Sequence, residues 1–533
     1  MVVGRARRAS GCVISLEEEL NMNVFVALRA AFPADLDAPA VQTEEGLVYS
    51  WRDLERATAM VANLFDALDL PPDSRVAVQV EKSVEAMVVY LATLRAGLVY
   101  LPLNTAYQSA ELDYFIDNAA PAVVVCASAR FGAISKQAFT RGVQYVFTLN
   151  DDRTGSLLER AAQHSDVHQP AARAPADLAA ILYTSGTTGR SKGAMLSHGN
   201  LLSNAQVLKQ YWAWQPNDVL IHALPIFHVH GLFVAIHGAL LNGSTMLWMN
   251  RFEPRRAIAL MAQATVFMGV PTLYTRMLGE PTLNRQAVAA MRLFVAGSAP
   301  LLLETFTQWQ ERTGHTILER YGMSETLMLT SNPYHPNGPG QPTERRGGTV
   351  GLPLPGLRLR VSGPDGSALP TGEVGGIEVS GPSVFAGYWR MPEKTAEEFT
   401  ADGFFKTGDV GLVDAQGFVS IVGRSKDLYI SGGYNVYPAE IEGFMNALPG
   451  VAETAIVGVP DADFGEVGVA VVIPKPGVRL DAADLLARLK GLVARFKVPK
   501  RCYVVDELPR NAMGKVQKNL LRARYMPPAD ATP

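Results

Sequence analysis

Between about residues 50 and 330, apolar runs of strand length alternate with segments whose apolar positions recur at helical spacing. RVAVQV (75–80) leads to SVEAMVVYLATLRAG (83–97) and then PAVVVCAS (121–128). ATVFMGVP (264–271) runs into the helix-like TLYTRML, and MRLFVAG (291–297) into a helix expected to open near Pro300. Alternation of this kind predicts α/β layers with largely buried sheets. From Gly351 the texture changes to short β pieces punctuated by Gly and Pro (LRLRVSGPDGS, GGIEVSGPS, GFVSIVGRS), which predicts a distorted β-barrel or small sheet attached to the layers. After Arg424 the patterns restart with ETAIVGVP, GVAVVIP, DAADLLARLKGLVARF and RCYVVDEL, enough for a small α+β domain. The join, GRSKDLYISGGYN, carries charge and glycine but few packing residues, as a hinge should. QPAARAPADLAA (169–180) reads as a surface connector.

A length of 533 residues allows two to four domains, and 48% hydrophobic content supports large cores. Net charge of −3 and a pI near 6.3 give no basic surface for nucleic acid or anionic lipid. Cys12, Cys126 and Cys502 stand far apart without a C-x-x-C, which fits a reducing cytoplasm and no structural zinc site. The most apolar stretches are broken by Arg95 or by His228, His230 and His237, so no membrane insertion is expected. Residues 1–21 combine basic MVVGRARRAS with acidic SLEEEL and lack an apolar core, so they read as a disordered extension rather than a targeting segment. MNVFVALRAAF, from Met22, looks like the natural amphipathic start.

Five clusters carry chemistry. YTSGTTGRSKG (183–193) joins the hydroxyls of Thr184, Ser185, Thr187 and Thr188 to Gly186, Gly189 and Gly193 and the cations Arg190 and Lys192. Glycines let backbone approach an anion, hydroxyls and amides donate to phosphate oxygens, and cations offset charge. The segment is not a G-x-x-x-x-G-K-[ST] loop, because Ser191 precedes Lys192 and Gly193 follows it. The bland alternative is a flexible surface turn. Gly297-Ser298-Ala299 ends a strand with small residues that suit a flat ring against the backbone, although a tight turn explains them nearly as well. ERYGMSET (319–326) offers Tyr321 for stacking, Gly322 for access and Glu325 for Mg²⁺. GFFKTGDVG offers Asp409 to ribose hydroxyls with Arg424 in support, and LPRNAMGKVQK puts Lys515 on a Pro/Gly-punctuated loop.

In this order and spacing, YTSGTTGRSKG, GSAP, YGMSE, TGD, GR-x-K-D and PRNAMGK resemble the adenylate-forming superfamily over roughly residues 25 to 525. The resemblance implies an α/β fold. A large N-terminal domain (22–423) of two α/β subdomains plus a distorted β-barrel would join, through a hinge at 424–427, a small mobile α+β lid (428–533). It implies ATP, Mg²⁺ and coenzyme A, with a carboxylate joined to the α-phosphate before a thiol displaces AMP. Lys515, Glu325, His228 and Lys192 would be catalytic, Glu325 holding Mg²⁺. Thr184 to Gly189 with Lys192 would cover the β- and γ-phosphates. Gly297, Ser298, Ala299 and Glu319, Arg320, Tyr321, Gly322, Met323 and Ser324 would surround adenine. Asp409 and Arg424 would hold ribose, and Lys515 would bridge carboxylate and α-phosphate. Lys426 would be the hinge pivot, unless it is a plain surface lysine, and Ser431, Gly432 and Gly433 would face the coenzyme A thiol. Acylation of Lys515 by a lysine acyltransferase would remove its charge.

IHALPIFHVHGLFVA, YGMSETLM with TSNPY, VFAGYWRMPEKT and LPRNAMGKVQKN further resemble bacterial malonyl-CoA synthetases. His228 stands where amino-acid-activating domains carry Asp, which argues against an amino-acid substrate. Two histidines at i and i+2 without a third partner do not make a metal site. A dicarboxylate needs a cation at the far end of its pocket. Arg251 is expected there first, with Arg276 in support and Met323 and Met268 around the methylene. The alternatives are a ligase for another acyl or aryl acid, or a nucleotide-binding regulator without chemistry.

Overall fold

The structure, a computed structural model, describes residues 22–184, 191–334, 344–432, 434–461, 463–511 and 514–526. The first helix among the described residues, Val24–Ala30, opens where Asn23 accepts a hydrogen bond from the Phe25 amide and, buried, donates to the Leu94 and Ala171 carbonyls.

Two sheets form the bulk. One has six strands in the order Tyr145–Thr148, Val123–Cys126, Arg75–Gln79, Val99–Pro102, Leu178–Thr184, Lys192–Ser197. It is parallel until the last pair, which runs antiparallel and matches Thr184 to Lys192. The other has nine strands. Its centre is a parallel run of Thr245–Trp248, Val219–His222, Val266–Gly269, Leu293–Ala296 and Leu318–Met323. These central strands are apolar on both faces because helices cover them, the alternation anticipated from sequence. The chain passes from strand Arg75–Gln79 to helix Val84–Arg95, which is buried except at Glu85 and whose N-cap Ser83 accepts from the Ala86 amide. One continuous apolar core joins both sheets.

One expectation changes. The barrel is an open four-stranded antiparallel sheet, Arg358–Ser362, Gly375–Ser380, Phe405–Val413 and Val419–Arg424, whose outer strands do not pair with each other among the described residues. Four strands are too few to close around a filled interior. DAADLLARLKGLVARF divides into a helix, Ala482–Leu489, capped by the Asp481 side chain, and a short 3₁₀ turn, Arg495–Lys497.

The last region builds a sheet on the antiparallel pair Val451–Asp461 and Gly465–Pro474, with Arg501–Val504 added in parallel and helices Pro438–Asn446 and Ala482–Leu489 packed on one face. Among the described residues, no helix is long and apolar enough to cross a membrane.

Candidate active site

The C-terminal ends of the central parallel strands point toward one cleft, the usual ligand position in such sheets. Asp409, buried in strand Phe405–Val413, accepts from the Tyr321 hydroxyl on one oxygen and lies 2.8 Å from Arg424 Nε on the other. Asp409 and Arg424 are also cross-strand partners, so the backbone register holds the pair. Tyr321 reaches them from strand Leu318–Met323, across a bulge at Gly322 where any side chain would meet the Leu327 carbonyl.

Glu325, four residues on, is buried and accepts from Thr184 at 3.3 Å and Tyr388 at 3.1 Å. Burial raises its pKa, against the opposing pull of Tyr388, Lys192 and Arg424. Lys192 lies 3.0 Å from Glu398 and 4.2 Å from the centre of the Tyr388 ring. Sequence reasoning missed Tyr388 and Glu398. Tyr388 sits in the quoted GYW, but only the fold shows that its ring lies under Lys192. Ser185, Gly186, Thr187, Thr188, Gly189 and Arg190 lie outside the described residues. No cluster of three or more metal-type side chains occurs among the described residues. Glu325 offers a hard oxygen donor of the kind that suits a cation taking most of its ligands from phosphates and water, as Mg²⁺ does.

The cation of the cleft floor is Arg320. Its side chain is buried, and its Nε and one terminal nitrogen have no partner among the described residues. Burial pulls its pKa down to about 9 despite Tyr274 and Glu319 nearby. Gly297 exists for it: a Cβ there would stand 2.6 Å from the guanidinium carbon. Beside it, Ser298 (φ 73°) places its hydroxyl 3.4 Å from His230 Nδ1. His230 is buried with its other nitrogen unpaired, and burial and then Arg320 push its pKa far down. His228 is likewise held neutral, at about 4, by burial and then Lys515. Glu319 is pushed up to about 8 by burial, one oxygen accepting from the Leu301 amide and the other unpaired.

Arg251 and Arg276 are both exposed, which corrects the expectation that they supply the pocket cation. Arg251 follows strand Thr245–Trp248 at the surface, and Arg276 lies on the outer side of helix Pro271–Leu278. Met268 is buried and Met323 half-buried.

Lys515 comes to this cleft on a loop closed by the Arg510–Val516 bridge. The Asn511 side chain accepts from the Lys515 amide at 3.0 Å, and Gly514 turns with φ 72°. Gly514 rests near Thr272 of the helix that carries Arg276. Water reaches the Lys515 side chain, yet protein surrounds it closely. That crowding, then Arg424, lowers its pKa to about 8, with Asp409 and Glu325 opposing. Lys426 is exposed in the turn after strand Val419–Arg424. Ser431 pairs with Gly465, and the Gly432 amide donates to the Phe464 carbonyl, so these two sit in the last sheet rather than in the cleft. Gly433 lies outside the described residues.

Residues 28–389 match the AMP-binding enzyme family, and residues 440–515 match the AMP-binding enzyme C-terminal domain. The chain belongs to this adenylate-forming family. Its fold superposes on the crystal structure of ATP-bound MatB from Rhodopseudomonas palustris with a TM-score of 0.91. The two are 53% identical over 95% of this chain and 99% of that one. It is 32% identical to a malonate–CoA ligase of Arabidopsis thaliana over 94% of this chain and 88% of that protein. It is 33% identical to a feruloyl-CoA synthase of an Amycolatopsis species over 90% and 94%.

Proposed function

We propose that this enzyme joins malonate to coenzyme A through a malonyl-adenylate, releasing pyrophosphate and then AMP, with methylmalonate as a second candidate acid. The observation that carries the choice of acid is Arg320, a buried guanidinium with unpaired donors at the cleft floor. An unpaired buried cation is costly, and a carboxylate that satisfies it gains charge-assisted hydrogen bonds. An acid without a second carboxylate leaves that cost in place. The likeness to MatB and to malonate–CoA ligase supports the same acid.

In the first half-reaction a malonate oxygen bonds to the α-phosphorus as the bond to the pyrophosphate oxygen breaks. Two anions meet, so the protein's task is positioning and charge neutralisation. Asp409, fixed by Tyr321 and Arg424, accepts from the ribose hydroxyls. The adenine lies along Gly297 to Ala299. Lys192 and the loop before it hold the β- and γ-phosphates, and Lys515 bridges the attacking carboxylate and the α-phosphate. His228, neutral, lines the acid site without adding charge. Mg²⁺ bound at Glu325 would neutralise phosphate charge. In the second half-reaction the last domain turns about Lys426, withdrawing Lys515 and presenting Ser431 to Gly433 to the thiol. A lysine acyltransferase that acylated Lys515 would switch off the first half-reaction alone, and adenylation undiminished after stoichiometric acetylation there refutes this. The dispersed cysteines support a cytoplasmic enzyme.

The test is ATP–pyrophosphate exchange with malonate, methylmalonate, acetate, octanoate and benzoate. Malonate, or malonate with methylmalonate, is expected to dominate. Preference for octanoate or benzoate overturns the dicarboxylate reading in favour of another acyl- or aryl-CoA ligase, and no exchange with any acid would favour the regulator.

A further inference from the structure

Lys192 heads strand Lys192–Ser197, where it pairs across the sheet with Thr184. Its side chain is only 12% exposed and its ammonium already has two neighbours, Glu398 Oε1 at 3.0 Å and the face of Tyr388 at 4.2 Å. Glu398 closes helix Pro392–Glu398 and takes a second ammonium at 3.3 Å, that of Lys394 one turn earlier. Lys394 in turn lies 2.8 Å from Glu397. Tyr388 ties the arrangement to the metal-type carboxylate, since its hydroxyl donates to Glu325. One carboxylate with no role in the chemistry thus occupies a lysine assigned to phosphate.

We propose that Glu398 is a positioning residue for Lys192, an internal counter-anion that competes with the β- and γ-phosphates and so governs how firmly pyrophosphate is held. This rests on the reading of Lys192 as a phosphate ligand. Before nucleotide arrives, Glu398 and the Tyr388 ring keep the ammonium in place, the ring through cation–π attraction. When the phosphates bind, Lys192 turns its donors to them. Glu398 is not stranded by the exchange, because Lys394 remains as its partner and a carboxylate left unpaired is what makes such a switch costly. When the α–β bond has broken, Glu398 takes Lys192 back and pyrophosphate loses a cation. Lys394 is therefore the residue that makes the competition weak enough to be reversible.

The proposal predicts opposite signs for two variants, and a merely structural ion pair does not. Glu398→Gln keeps shape and removes the competitor. The inhibition constant of inorganic pyrophosphate and the KM for ATP should both fall, by about three- to tenfold, the scale of one half-buried ion pair. Lys394→Met leaves Glu398 with Lys192 alone, so the inhibition constant and the KM should rise. Pyrophosphate inhibition that is unchanged or weaker in Glu398→Gln, with an unaltered melting temperature, overturns the proposal. If Glu398→Gln does not fold, the sign in Lys394→Met decides. Lys192→Met separates the two levels: unchanged KM for ATP and unchanged pyrophosphate inhibition there mean that the phosphate-ligand reading has failed. A rise in both, with no effect of Glu398→Gln, means that only the counter-anion has.

Discussion

At the scale of single residues, the acid pocket is decided by which arginine is dry. Arg251 and Arg276 keep their hydration at the surface, whereas Arg320 is buried with two guanidinium nitrogens unpartnered among the described residues. A charge-assisted hydrogen bond contributes about 1.5–3 kcal/mol, so Arg320→Met should lower kcat/KM for malonate by about 10- to 200-fold. Butyrate never used that bond, and its turnover should hold or rise. Arg251→Ala and Arg276→Ala should stay close to wild type on malonate. Parallel losses on malonate and butyrate in Arg320→Met would assign the residue to structure. The pH profile is a second test. Lys515 has a pKa lowered to about 8, and its protonated form is the one that bridges two anions. Rising pH removes that charge, so kcat/KM for ATP in the adenylation half-reaction should fall through about pH 8. At saturating ATP the bound phosphates favour the ammonium, and the fall in kcat should move to higher pH. A profile flat from pH 7 to 9.5 rules out Lys515 as the bridging cation.

At the scale of elements, the strand-helix alternation and the motif positions were legible in the sequence because they are local. Apolar runs such as PAVVVCAS and ATVFMGVP are strands, and TLYTRML is a helix. What failed was anything set by closure or by distant packing. Whether four strands close depends on the partners of the outer two. The family resemblance places Arg320 with adenine, and no local signal in the sequence says that its guanidinium is desolvated. The pairing of Lys192 with Glu398 spans 206 positions and has no local signature at all. Gly297 shows how the two scales meet: its smallness suggests a ring against the backbone, yet the atoms a side chain would strike belong to Arg320. Gly297→Ala should therefore cost at least about tenfold in kcat/KM for malonate, since a buried side chain cannot step aside without strain. Equal activity with malonate would mean that the guanidinium moves freely.

At the scale of the whole molecule, one cleft needs residues from distant parts of the chain: Thr184 comes from the six-stranded sheet, Glu325 from a turn between strands of the nine-stranded sheet, Asp409 from the four-stranded sheet, and Lys515 from the last domain. Lys515→Ala should abolish adenylation yet spare thioester formation from supplied malonyl-adenylate, and equal loss in both steps would sink the alternating-domain assignment. The orientation seen here also has contacts of its own. Lys475, just past strand Gly465–Pro474, lies 2.6 Å from Glu304 in the first turn of helix Leu303–Thr313. Both side chains are about 40% exposed, so the pair contributes at most about 1 kcal/mol. A contact made in one domain orientation and absent in the other shifts their ratio by its full free energy, however small. Glu304→Lys should slow adenylation by about two- to fivefold and leave thioester formation from malonyl-adenylate unchanged or faster. Adding Lys475→Glu restores the opposite charges and should return adenylation toward wild type. High salt should shrink the whole difference, because exposed charges are screened. Slowing of both half-reactions by Glu304→Lys, without rescue in the double variant, would mean that the helix rather than the domain orientation depends on Glu304.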